Sequence, residues 1–261
     1  MSPWQTRLDA ANAVMAVAAP VGLNLFNRRA QFALEEKGAT EFVTEADRQL
    51  ERLIRDHLAT TLPGDDVMGE EMGGSTGHAF WSIDPIDGTA NFLRGSPLWG
   101  VSLGYVEAGR SKVGVICYPA LGVTLVAAEG LGVWHQGKPF HRHVPFAGVQ
   151  VVAVGDSPKW PVADVLALQA RLRAAQWGIA AYRCATIGLG FAAMGHTDGY
   201  VENRLSIWDV AAGAVICSEA GLVVRQGGTM SSSGMWMCAA LPAVQDVLAP
   251  ELATWSAEHP S

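Results

Sequence analysis

The residues best suited to chemistry lie in one twelve-residue segment, Trp81-Ser-Ile-Asp-Pro-Ile-Asp-Gly-Thr-Ala-Asn-Phe92. Asp84 ends an apolar run, and Asp87 follows three residues later across a proline turn. Such a turn can direct both carboxylates, and the carbonyl of Ile86 between them, toward one point. Ligand sets made only of oxygen suit hard cations such as Mg²⁺. The segment therefore predicts a metal site rather than an ordinary Asx turn.

Two small residues that follow Asp87 are placed to bind an anion. Gly88 and Thr89 stand where the chain is predicted to open a helix. The first N–H groups of a helix have no partner within the helix, and the helix dipole puts partial positive charge there. We therefore expect the Gly88 and Thr89 amides to hold a phosphate oxygen.

Three further acidic segments each admit a structural and a chemical interpretation. Glu70 and Glu71 form either the solvated end of a strand or part of a site. Thr44 and Asp47 have the spacing of a helix capping box, with Asp in place of the usual Glu. Asp209 stands just before an Ala- and Gly-rich helix, where it is either an N-cap or a metal ligand. None of the three decides the question by itself.

The N-terminal half carries helices followed by short strands. Residues 4–35 are predicted to be helical, with an interruption near Pro20–Gly22. Residues Glu45–Leu58 form a clearer amphipathic helix, which Pro63–Gly64 ends. Short apolar runs separated by tight turns then predict an antiparallel sheet. Its strands are expected at Ala79–Ile83, Trp99–Val106, Lys112–Tyr118, Gly122–Ala128 and Gly132–His135.

Strands and helices alternate in the C-terminal half, which is typical of an α/β domain. The predicted helices are Val162–Gln176, Thr186–Met194 and Val210–Ala220. The predicted strands are Val149–Val154, Ile179–Tyr182, Gly199–Glu202, Leu222–Val224 and Trp236–Ala239. Segment 140–148 carries Pro145 and Gly148 and is the expected boundary between an N-terminal lobe, 1–143, and a C-terminal lobe, 144–261. His141 and His143 are interpreted as polar residues of this linker rather than as metal ligands.

Composition limits the classes of partner. The 261 residues are 49% hydrophobic and 16% charged, with a net charge of −7, which indicates a globular protein and disfavours nucleic-acid or anionic-membrane binding. Four widely spaced cysteines predict reduced thiols in a cytoplasmic protein.

The Ala-rich run Ala13–Leu23 lacks a basic start, so it is predicted to be a helix of the fold and not a signal peptide. No run is expected to span a membrane, which takes ~20 apolar residues.

Taken together and in order, these segments resemble the inositol monophosphatase family, within the larger group of lithium-sensitive, magnesium-dependent phosphatases. The resemblance covers about residues 30–225, and the segment that ends at Phe92 is its most specific part. The matching strings are Glu41-Phe-Val-Thr-Glu-Ala-Asp47, Gly69-Glu-Glu71, Ile83-Asp-Pro-Ile-Asp-Gly-Thr-Ala-Asn-Phe92, Trp208-Asp-Val-Ala-Ala-Gly213 and Ser218-Glu-Ala-Gly221.

The resemblance implies a fold, a cofactor and an assembly. The fold is an α/β, layered α-β-α-β-α sandwich like that of the inositol monophosphatases and fructose-1,6-bisphosphatases, with α+β character in the first lobe. The active site is expected between the lobes. The cofactor is Mg²⁺, two to three ions per site. Homodimers are expected, and neither nucleic acid nor membrane is an expected partner.

The resemblance also assigns metal ligands. Glu70, Asp84 and the Ile86 carbonyl are expected to hold a first Mg²⁺. The second ion is expected on Asp84, Asp87 and Asp209, and a third near Glu70 through water. No Ser, Cys or His nucleophile is required, because metal ions can both activate water and stabilise the leaving oxygen.

Catalytic roles follow in the same way. The Gly88 and Thr89 amides are expected to bind the phosphate. Thr89, paired with Asp47, and Glu70 are expected to orient and deprotonate the attacking water. Lys37 lies close to the position of a family lysine near the phosphate.

Substrate contacts are expected from Asp87, Glu202, Cys184 and Ala185, with Glu202 accepting a hydrogen bond from a substrate hydroxyl. One departure from the family concerns Arg183-Cys-Ala-Thr-Ile187, where the family has Gly-Ser-Ala-Ala after the arginine. Either Cys184 takes the serine position without a gap, or the loop is two residues shorter and Ala185-Thr186 replace Gly-Ser.

Inositol 1-phosphate or a similar polyol phosphate is the first expected substrate. Histidinol phosphate is the alternative, because Arg94-Gly-Ser-Pro-Leu-Trp99 is similar to that branch of the family. A nucleotide 3′-phosphate or fructose 1,6-bisphosphate is disfavoured, because the chain is short and shows no obvious basic pocket for a second phosphate. A regulatory, partner-binding protein with incidental phosphatase activity is a more remote alternative, which the complete ligand set disfavours.

Overall fold

The structure is a computed structural model that describes residues 2–32, 35–36, 42–144, 146, 148–230 and 234–258. Lys37, Glu41 and Pro145 therefore lie outside the described residues. Eight helices are defined in these ranges: α1 (Gln5–Asn27), α2 (Glu45–Thr61), α3 (Thr89–Arg94), α4 (Val162–Ala174), α5 (Ala185–Met194), α6 (Ile207–Glu219), α7 (Pro242–Val247) and α8 (Ala249–Glu258).

Fifteen strands form three sheets in the described ranges. A two-stranded sheet joins β1 (Glu35–Glu36) to β2 (Phe42–Val43). The strands of the first large sheet are β3 (Asp66–Gly69), β4 (Gly73–Gly74), β5 (Ala79–Asp87), β6 (Gly100–Glu107), β7 (Arg110–Tyr118), β8 (Val123–Ala128), β9 (Val133–His135) and β10 (Lys138–Phe140). The second large sheet contains β11 (Val151–Val154), β12 (Gly178–Ala180), β13 (Gly199–Leu205), β14 (Val223–Gly227) and β15 (Met235–Ala240).

The first large sheet has the order β10-β9-β8-β7-β6-β5-β3-β4. Its pairs are antiparallel, as predicted, except that β3 runs parallel to β5. The second large sheet has the order β12-β11-β13-β15-β14 and is mixed, since β11 is parallel to both of its neighbours while β15 is antiparallel to β13 and β14.

Five layers follow from three apolar cores. The first core places α1 and α2 on one face of the first large sheet. The second fills the space between the two large sheets and contains α5 and α6. The third covers the outer face of the second sheet with α4, α7 and α8. This arrangement confirms the predicted α-β-α-β-α sandwich.

Helix α1 is continuous through Pro20, so the predicted interruption is wrong, and the helix ends at Asn27 rather than near residue 35. Its buried face, which includes Met15 and Ala18, packs on α2 and the sheet and compensates for the hydrogen bond that the proline lacks. By length and composition alone α1 could cross a membrane, contrary to expectation, but 44% of its most apolar window is buried inside the fold.

Helices α7 and α8 were not predicted. Pro242 at the start of α7 is a helix-opening signal in the sequence. Buried Val244, Leu252 and Trp255 pack these helices on the outer face of the second sheet. Tertiary burial stabilises two short helices whose local pattern is weak.

Helix α6 belongs to the C-terminal half but packs directly against the first large sheet. A Cβ added at Gly104 would lie 2.7 Å from the Cβ of Ala211, and one at Gly114 would lie 2.4 Å from the Ala212 carbonyl oxygen. The two strand glycines therefore permit a close approach of helix to sheet. Among the described residues between β10 and β11, His141 and His143 are exposed, and a lobe boundary near residue 143 stays a prediction.

Candidate active site

The end of β5 holds two of the predicted metal ligands. Asp84 pairs with Ser102 and Asp87 with Gly100 across to β6, so two residues of β5 oppose one of β6. This is a β-bulge, and Pro85 lies in it, where a ladder hydrogen bond is not required. The Ile86 N–H donates to Asp84 Oδ1 at 3.1 Å. The bulge turns the end of a buried strand so that the two carboxylates come within 4.8 Å of each other, and Asp87 lines the cavity.

Asp209 comes to the same place from the C-terminal half. It lies in the first turn of α6, where Ser206 is the N-cap and its N–H donates to Asp209 Oδ2 at 2.6 Å. The expectation that Asp209 stands just before the helix is therefore wrong by three residues. Ser102 Oγ contacts the Trp208 carbonyl at 3.4 Å, which ties the start of α6 to the strand beside Asp84. This capping box leaves the second carboxylate oxygen of Asp209 available.

Carboxylate oxygens of Asp84, Asp87 and Asp209 all lie within 4.8 Å of one another. Burial raises the pKa of Asp84, and the charges of Glu70, Asp87 and Asp209 raise it further. The pKa values of Asp87 and Asp209 are raised as well, mainly by burial. Within the described ranges, no Lys or Arg forms an ion pair with these three carboxylates. An oxygen-only cluster of unbalanced buried carboxylates fits a hard metal cation.

Glu70 follows the end of β3 and lines the cavity beside the cluster. Its N–H donates to the Ile83 carbonyl at 3.2 Å, which keeps the two strand ends together. Among the neighbouring charges, that of Glu70 has the largest effect on the pKa of Asp84, and it also raises the pKa of Asp209. The structure therefore places a fourth predicted ligand next to the triad.

The capping box at the start of α2 is confirmed. Asp47 Oδ2 accepts the Thr44 N–H at 2.8 Å and the Thr44 hydroxyl at 2.7 Å. Burial outweighs these hydrogen bonds and raises the pKa of Asp47 to about 6.

The expected pair between Thr89 and Asp47 is not formed. The Thr89 hydroxyl donates to the Ile86 carbonyl at 3.1 Å, while the Asp47 carboxylate is occupied by Thr44. Each group has a local partner, because Thr89 belongs to the turn after β5 and Asp47 to a helix cap. The Ile86 oxygen retains a second lone pair for a metal.

Gly88 and Thr89 open α3, as predicted, and both line the cavity. Gly88 has φ 83°, and an added Cβ would lie 3.0 Å from the Cβ of Cys184, so both conformation and space favour glycine there. Asn91 of the same helix donates to the Leu98 carbonyl and, across the two halves, to the Tyr182 carbonyl, each at 2.7 Å.

Cys184 and Ala185 line the cavity at the start of α5. Cys184 Sγ lies 3.3 Å from Asp87 Oδ2, and burial raises the pKa of its thiol, which makes it a neutral contact and not a nucleophile. The Thr186 N–H donates to the same Asp87 oxygen at 2.6 Å. This support for Asp87 was not predicted, because the two residues are 99 positions apart in the sequence.

Glu202 is buried on β13 and lines the cavity. Burial raises its pKa to about 7, although the hydroxyl of Tyr200 donates to it. A Cβ added at Gly155 would lie 2.0 Å from the Glu202 carboxyl carbon, so a glycine is required beside it. Tyr200 was not predicted as part of the site; its position two residues before Glu202 puts it on the same face of the strand.

The cavity has a volume of about 370 Å³ and is lined by residues from both halves of the chain. Its acidic residues include Glu70, Asp87, Asp209 and Glu202. The remaining wall is polar and includes Asp156, Ser157, Lys159, Arg183 and Arg204. Asp47, Asp84 and Ile86 are not among the lining residues. The predicted site residues that do line the cavity are Glu70, Asp87, Gly88, Thr89, Cys184, Ala185, Glu202 and Asp209, and the basic residues beside them were not predicted.

Comparisons with known proteins agree with this geometry. The family model described as "Inositol monophosphatase family" matches residues 4–257. The chain is similar to the fructose-1,6-bisphosphatase/inositol-1-monophosphatase of Thermotoga maritima, with 36% identity over 73% of each chain. It is also similar to the histidinol-phosphatase of Mycobacterium tuberculosis, with 34% identity over 69% of this chain and 72% of that one. The structure of the extragenic suppressor protein suhB of Bartonella henselae superposes with a TM-score of 0.83 at 26% identity, covering 93% of this chain and 98% of that one.

The match to the family model extends over almost the whole chain and includes the carboxylate cluster and both large sheets. Members of the matched family are metal-dependent enzymes that hydrolyse phosphate monoesters. The chain therefore belongs to the inositol monophosphatase family and is a phosphatase acting on phosphate monoesters.

Proposed function

We propose that this enzyme is a Mg²⁺-dependent phosphatase of inositol 1-phosphate or a similar polyol phosphate. One observation carries the proposal: carboxylate oxygens of Asp84, Asp87 and Asp209 lie within 4.8 Å of one another. No Lys or Arg of the described ranges forms an ion pair with them. The similarity to a fructose-1,6-bisphosphatase/inositol-1-monophosphatase supports the substrate class.

Five residues would hold the metal: Glu70, Asp84, Asp87 and Asp209 through carboxylates and Ile86 through its carbonyl. Two to three Mg²⁺ ions would supply positive charge that activates water and stabilises the leaving oxygen. All the ligand atoms are oxygen, which suits Mg²⁺ better than a thiophilic metal.

The chain's own groups orient the reactants. The amides of Gly88 and Thr89 bind the phosphate at the start of α3. Glu70 accepts the proton of the attacking water, and the Thr89 hydroxyl helps to orient that water. Asp47 is a further candidate for proton transfer, since its pKa of about 6 lies in the range in which a carboxylate works as a base near neutral pH.

Substrate recognition falls to Glu202, Asp87, Cys184 and Ala185 at the cavity wall. Ionised Glu202 accepts a hydrogen bond from a substrate hydroxyl, and a bond of this type to a charged group is worth about 1.5–3 kcal/mol. Histidinol phosphate is a second candidate, because the chain is similar to a histidinol-phosphatase and Glu202 could pair with the ammonium group of that substrate.

A substrate panel tests this function. Purified enzyme is assayed with inositol 1-phosphate, histidinol phosphate, glycerol 2-phosphate and p-nitrophenyl phosphate, with Mg²⁺ and with chelator. We expect turnover only with Mg²⁺ and the highest kcat/KM for inositol 1-phosphate. Full activity in chelator contradicts the metal mechanism, whereas a preference for histidinol phosphate selects the second candidate.

Lithium sensitivity is part of the proposal. Li⁺ carries one charge less than Mg²⁺ but fits a small oxygen site such as the one formed by the aspartate triad. We expect millimolar Li⁺ to inhibit in a manner uncompetitive with substrate. Indifference to tens of millimolar Li⁺ speaks against this arrangement of ions.

We also propose a homodimer located in the cytoplasm. The four cysteines, Cys117, Cys184, Cys217 and Cys238, are free and buried, which agrees with a reducing compartment. Light scattering coupled to size-exclusion chromatography tests the dimer, and fractionation of cells tests the location. A monomer at micromolar concentration contradicts the proposed assembly.

A further inference from the structure

Helix α5 reaches the metal site from the C-terminal half, and its first turn is capped by Asp87 of β5. The N-cap residue of α5 is Cys184, whose own side chain makes no cap hydrogen bond. The Thr186 N–H of the first turn donates instead to Asp87 Oδ2 at 2.6 Å. One carboxylate therefore serves both as a helix cap and as an expected metal ligand. A shift of the helix start would also shift this ligand.

Tyr118, the last residue of β7, holds the same turn of α5 from the first large sheet. Its hydroxyl donates to the Thr186 carbonyl, and its ring packs edge-on against Phe191 of the same helix, with 6.3 Å between the ring centroids. Tyr118 is fully buried, and burial raises its pKa well above the ordinary value, so the hydroxyl keeps its proton and donates. Thr186 is thus held through its carbonyl by Tyr118 and through its N–H by Asp87.

Two glycines leave the space that this contact needs. Gly100 pairs with Asp87 between β6 and β5. A Cβ added at Gly100 would lie 2.8 Å from Thr186 Oγ1 and 3.0 Å from the Tyr118 ring. A Cβ added at Gly190 of α5 would overlap the Tyr118 hydroxyl oxygen. Glycine on the strand and on the helix therefore lets the tyrosine reach the helix backbone.

Filling the core does not require the Tyr118 hydroxyl. A phenylalanine would keep the ring and its contact with Phe191. In an α-helix the carbonyl of residue 186 also accepts the N–H of residue 190, so the tyrosine gives this carbonyl a second bond and not its only one. What the hydroxyl adds is a fixed distance between the first sheet and the start of α5.

We propose that Tyr118 is a positioning residue of the metal site: its hydroxyl fixes the first turn of α5 and, through the Thr186 N–H, the carboxylate of Asp87. Tyr118 acts through the helix and not by contact with substrate or metal. Groups that orient a metal ligand contribute to metal affinity. This role rests on the proposed function, since Asp87 is taken to be a ligand of Mg²⁺.

Metal binding by the free enzyme tests this role without turnover. Mn²⁺ prefers the same oxygen ligands as Mg²⁺, and electron paramagnetic resonance measures free Mn²⁺ during titration of the substrate-free, full-length enzyme. We expect Tyr118→Phe to weaken Mn²⁺ binding roughly threefold to tenfold, the range for loss of one hydrogen bond. The Mg²⁺ concentration for half-maximal turnover of p-nitrophenyl phosphate should rise by a similar factor. At saturating Mg²⁺, kcat should stay within about twofold of wild type.

Tyr105→Phe is the matched control, because it removes the hydroxyl of another buried tyrosine of the first large sheet. Tyr105 lies on β6 in the first core, where its ring packs against Trp81 with 5.1 Å between the centroids. This change should leave Mn²⁺ affinity unaltered, whatever its effect on Tm. A second variant carries p-fluorophenylalanine at position 118, which fills the volume of the hydroxyl but cannot donate. It should weaken Mn²⁺ binding as Tyr118→Phe does, and it leaves no cavity that could impair folding.

A double-mutant cycle with Asp87→Asn tests the route of the effect. The amide oxygen of the new side chain can still accept the Thr186 N–H. Its NH2 group then takes the place of the oxygen that a metal would bind. Tyr118→Phe should add no further loss of Mn²⁺ affinity in this background, because the ligand that it positions is already lost. Equal losses in the wild-type and Asp87→Asn backgrounds would mean that the hydroxyl acts elsewhere.

Three results overturn or separate the two proposals. Unchanged Mn²⁺ affinity in both position-118 variants overturns the positioning role and leaves the metal site intact. An equal loss in Tyr105→Phe overturns it too, because the effect is then general loosening of the fold. If wild-type enzyme binds Mn²⁺ but hydrolyses no phosphate monoester, the proposed function fails, and the Mn²⁺ titrations still decide the role of Tyr118. Wild-type enzyme that binds no Mn²⁺ contradicts both.

Discussion

The ionisation of single side chains at this site is governed by the cost of burying charge. Asp84, Asp87 and Asp209 are close enough that each opposes ionisation of the others, and burial adds to the effect. Their pKa values are raised in the metal-free protein, which means that protons or cations must balance them. A metal site explains why a folded chain keeps three acids there.

Asp209→Asn removes one ligand charge while keeping the side-chain shape. We expect kcat to fall at least ~10²-fold, as for loss of one electrostatic group at a reacting centre. The Ser206 N–H can still donate to the amide oxygen, so the capping box is retained. The matched control is Asp246→Asn, a change at an exposed acid of α7. Equal effects in the two variants would remove Asp209 from the catalytic machinery.

Glu202→Gln tests recognition separately from chemistry. We expect kcat/KM to fall roughly tenfold to 150-fold for inositol 1-phosphate and to change little for p-nitrophenyl phosphate. Tyr200→Phe is the companion variant, because the Tyr200 hydroxyl donates to this carboxyl group. If Glu202→Gln lowers turnover of both substrates equally, Glu202 serves the metal site or the fold instead.

Contacts between secondary-structure elements position these side chains. Glu51 of α2 is fully buried beneath the turn that carries Glu70. Its carboxylate accepts the N–H groups of Glu71 at 2.8 Å and Met72 at 3.2 Å. It also accepts the Arg55 guanidinium at 2.7 Å. A Cβ at Gly69 would lie 2.0 Å from this carboxylate, so helix and turn are in direct contact there.

Glu51→Gln should therefore weaken both stability and catalysis. Gln keeps one acceptor oxygen but places an amide NH2 against the N–H donors of Arg55 or the turn, and a donor left unsatisfied there is expected to cost about 1–3 kcal/mol. The looser turn should raise the Mg²⁺ concentration needed for half-maximal activity, a readout that general destabilisation does not move below Tm. Glu129→Gln, which breaks an exposed ion pair with Lys112, is the control and should change neither quantity. An unaltered Mg²⁺ requirement in Glu51→Gln would limit Glu51 to a structural role.

The folding stability of the whole molecule is expected to depend on pH because of its buried acids. The pKa of Glu202 is raised from 4.5 to about 7, and that of Asp47 from 3.8 to about 6. A raised pKa means that the folded state holds the proton more tightly than the unfolded chain does. Stability from these groups is therefore complete below pH about 4 and is lost as the pH rises through about 6 for Asp47 and about 7 for Glu202.

Metal-free enzyme should consequently be less stable at pH 8 than at pH 5, with Glu202 alone contributing roughly 2–3 kcal/mol of this difference. Urea unfolding in chelator at the two pH values measures this difference. Mg²⁺ should reverse the trend, because its ligands bind it as carboxylates and binding to the folded state stabilises that state. A metal-free protein that is equally stable at both pH values would contradict the raised pKa values.

Local sequence patterns predicted several helices and strands of this fold and the family to which the chain belongs. The capping-box spacing of Thr44 and Asp47 located the start of α2, because such a signal depends only on neighbouring residues. The strands from β5 to β9 followed from short apolar runs and turns. The segment ending at Phe92 gave the family and the type of chemistry, since carboxylates, glycine and threonine at that spacing are specific.

Other features depend on contacts that no local pattern contains. The hydrogen bond between Thr186 and Asp87, the contact of the Ser102 hydroxyl with the Trp208 carbonyl and the parallel pairing of β3 with β5 all join separate segments. The continuity of α1 through Pro20 is likewise a result of packing. Propensity is a weak prior in each case, because burial against a neighbour outweighs it.

The type of chemistry at the metal site was determined by the sequence alone, because Asp84, Ile86 and Asp87 lie within four consecutive residues. Only the tertiary structure brings Asp209 to them. The presence of basic residues in the cavity wall was likewise decided by tertiary structure. Lys159, Arg183 and Arg204 are scattered among neutral and acidic residues, so charge counting along the chain cannot detect them. The folding of α5, β13 and the segment after β11 around one cavity brings them together, and electrostatic recognition depends on distance in space, not on separation along the chain.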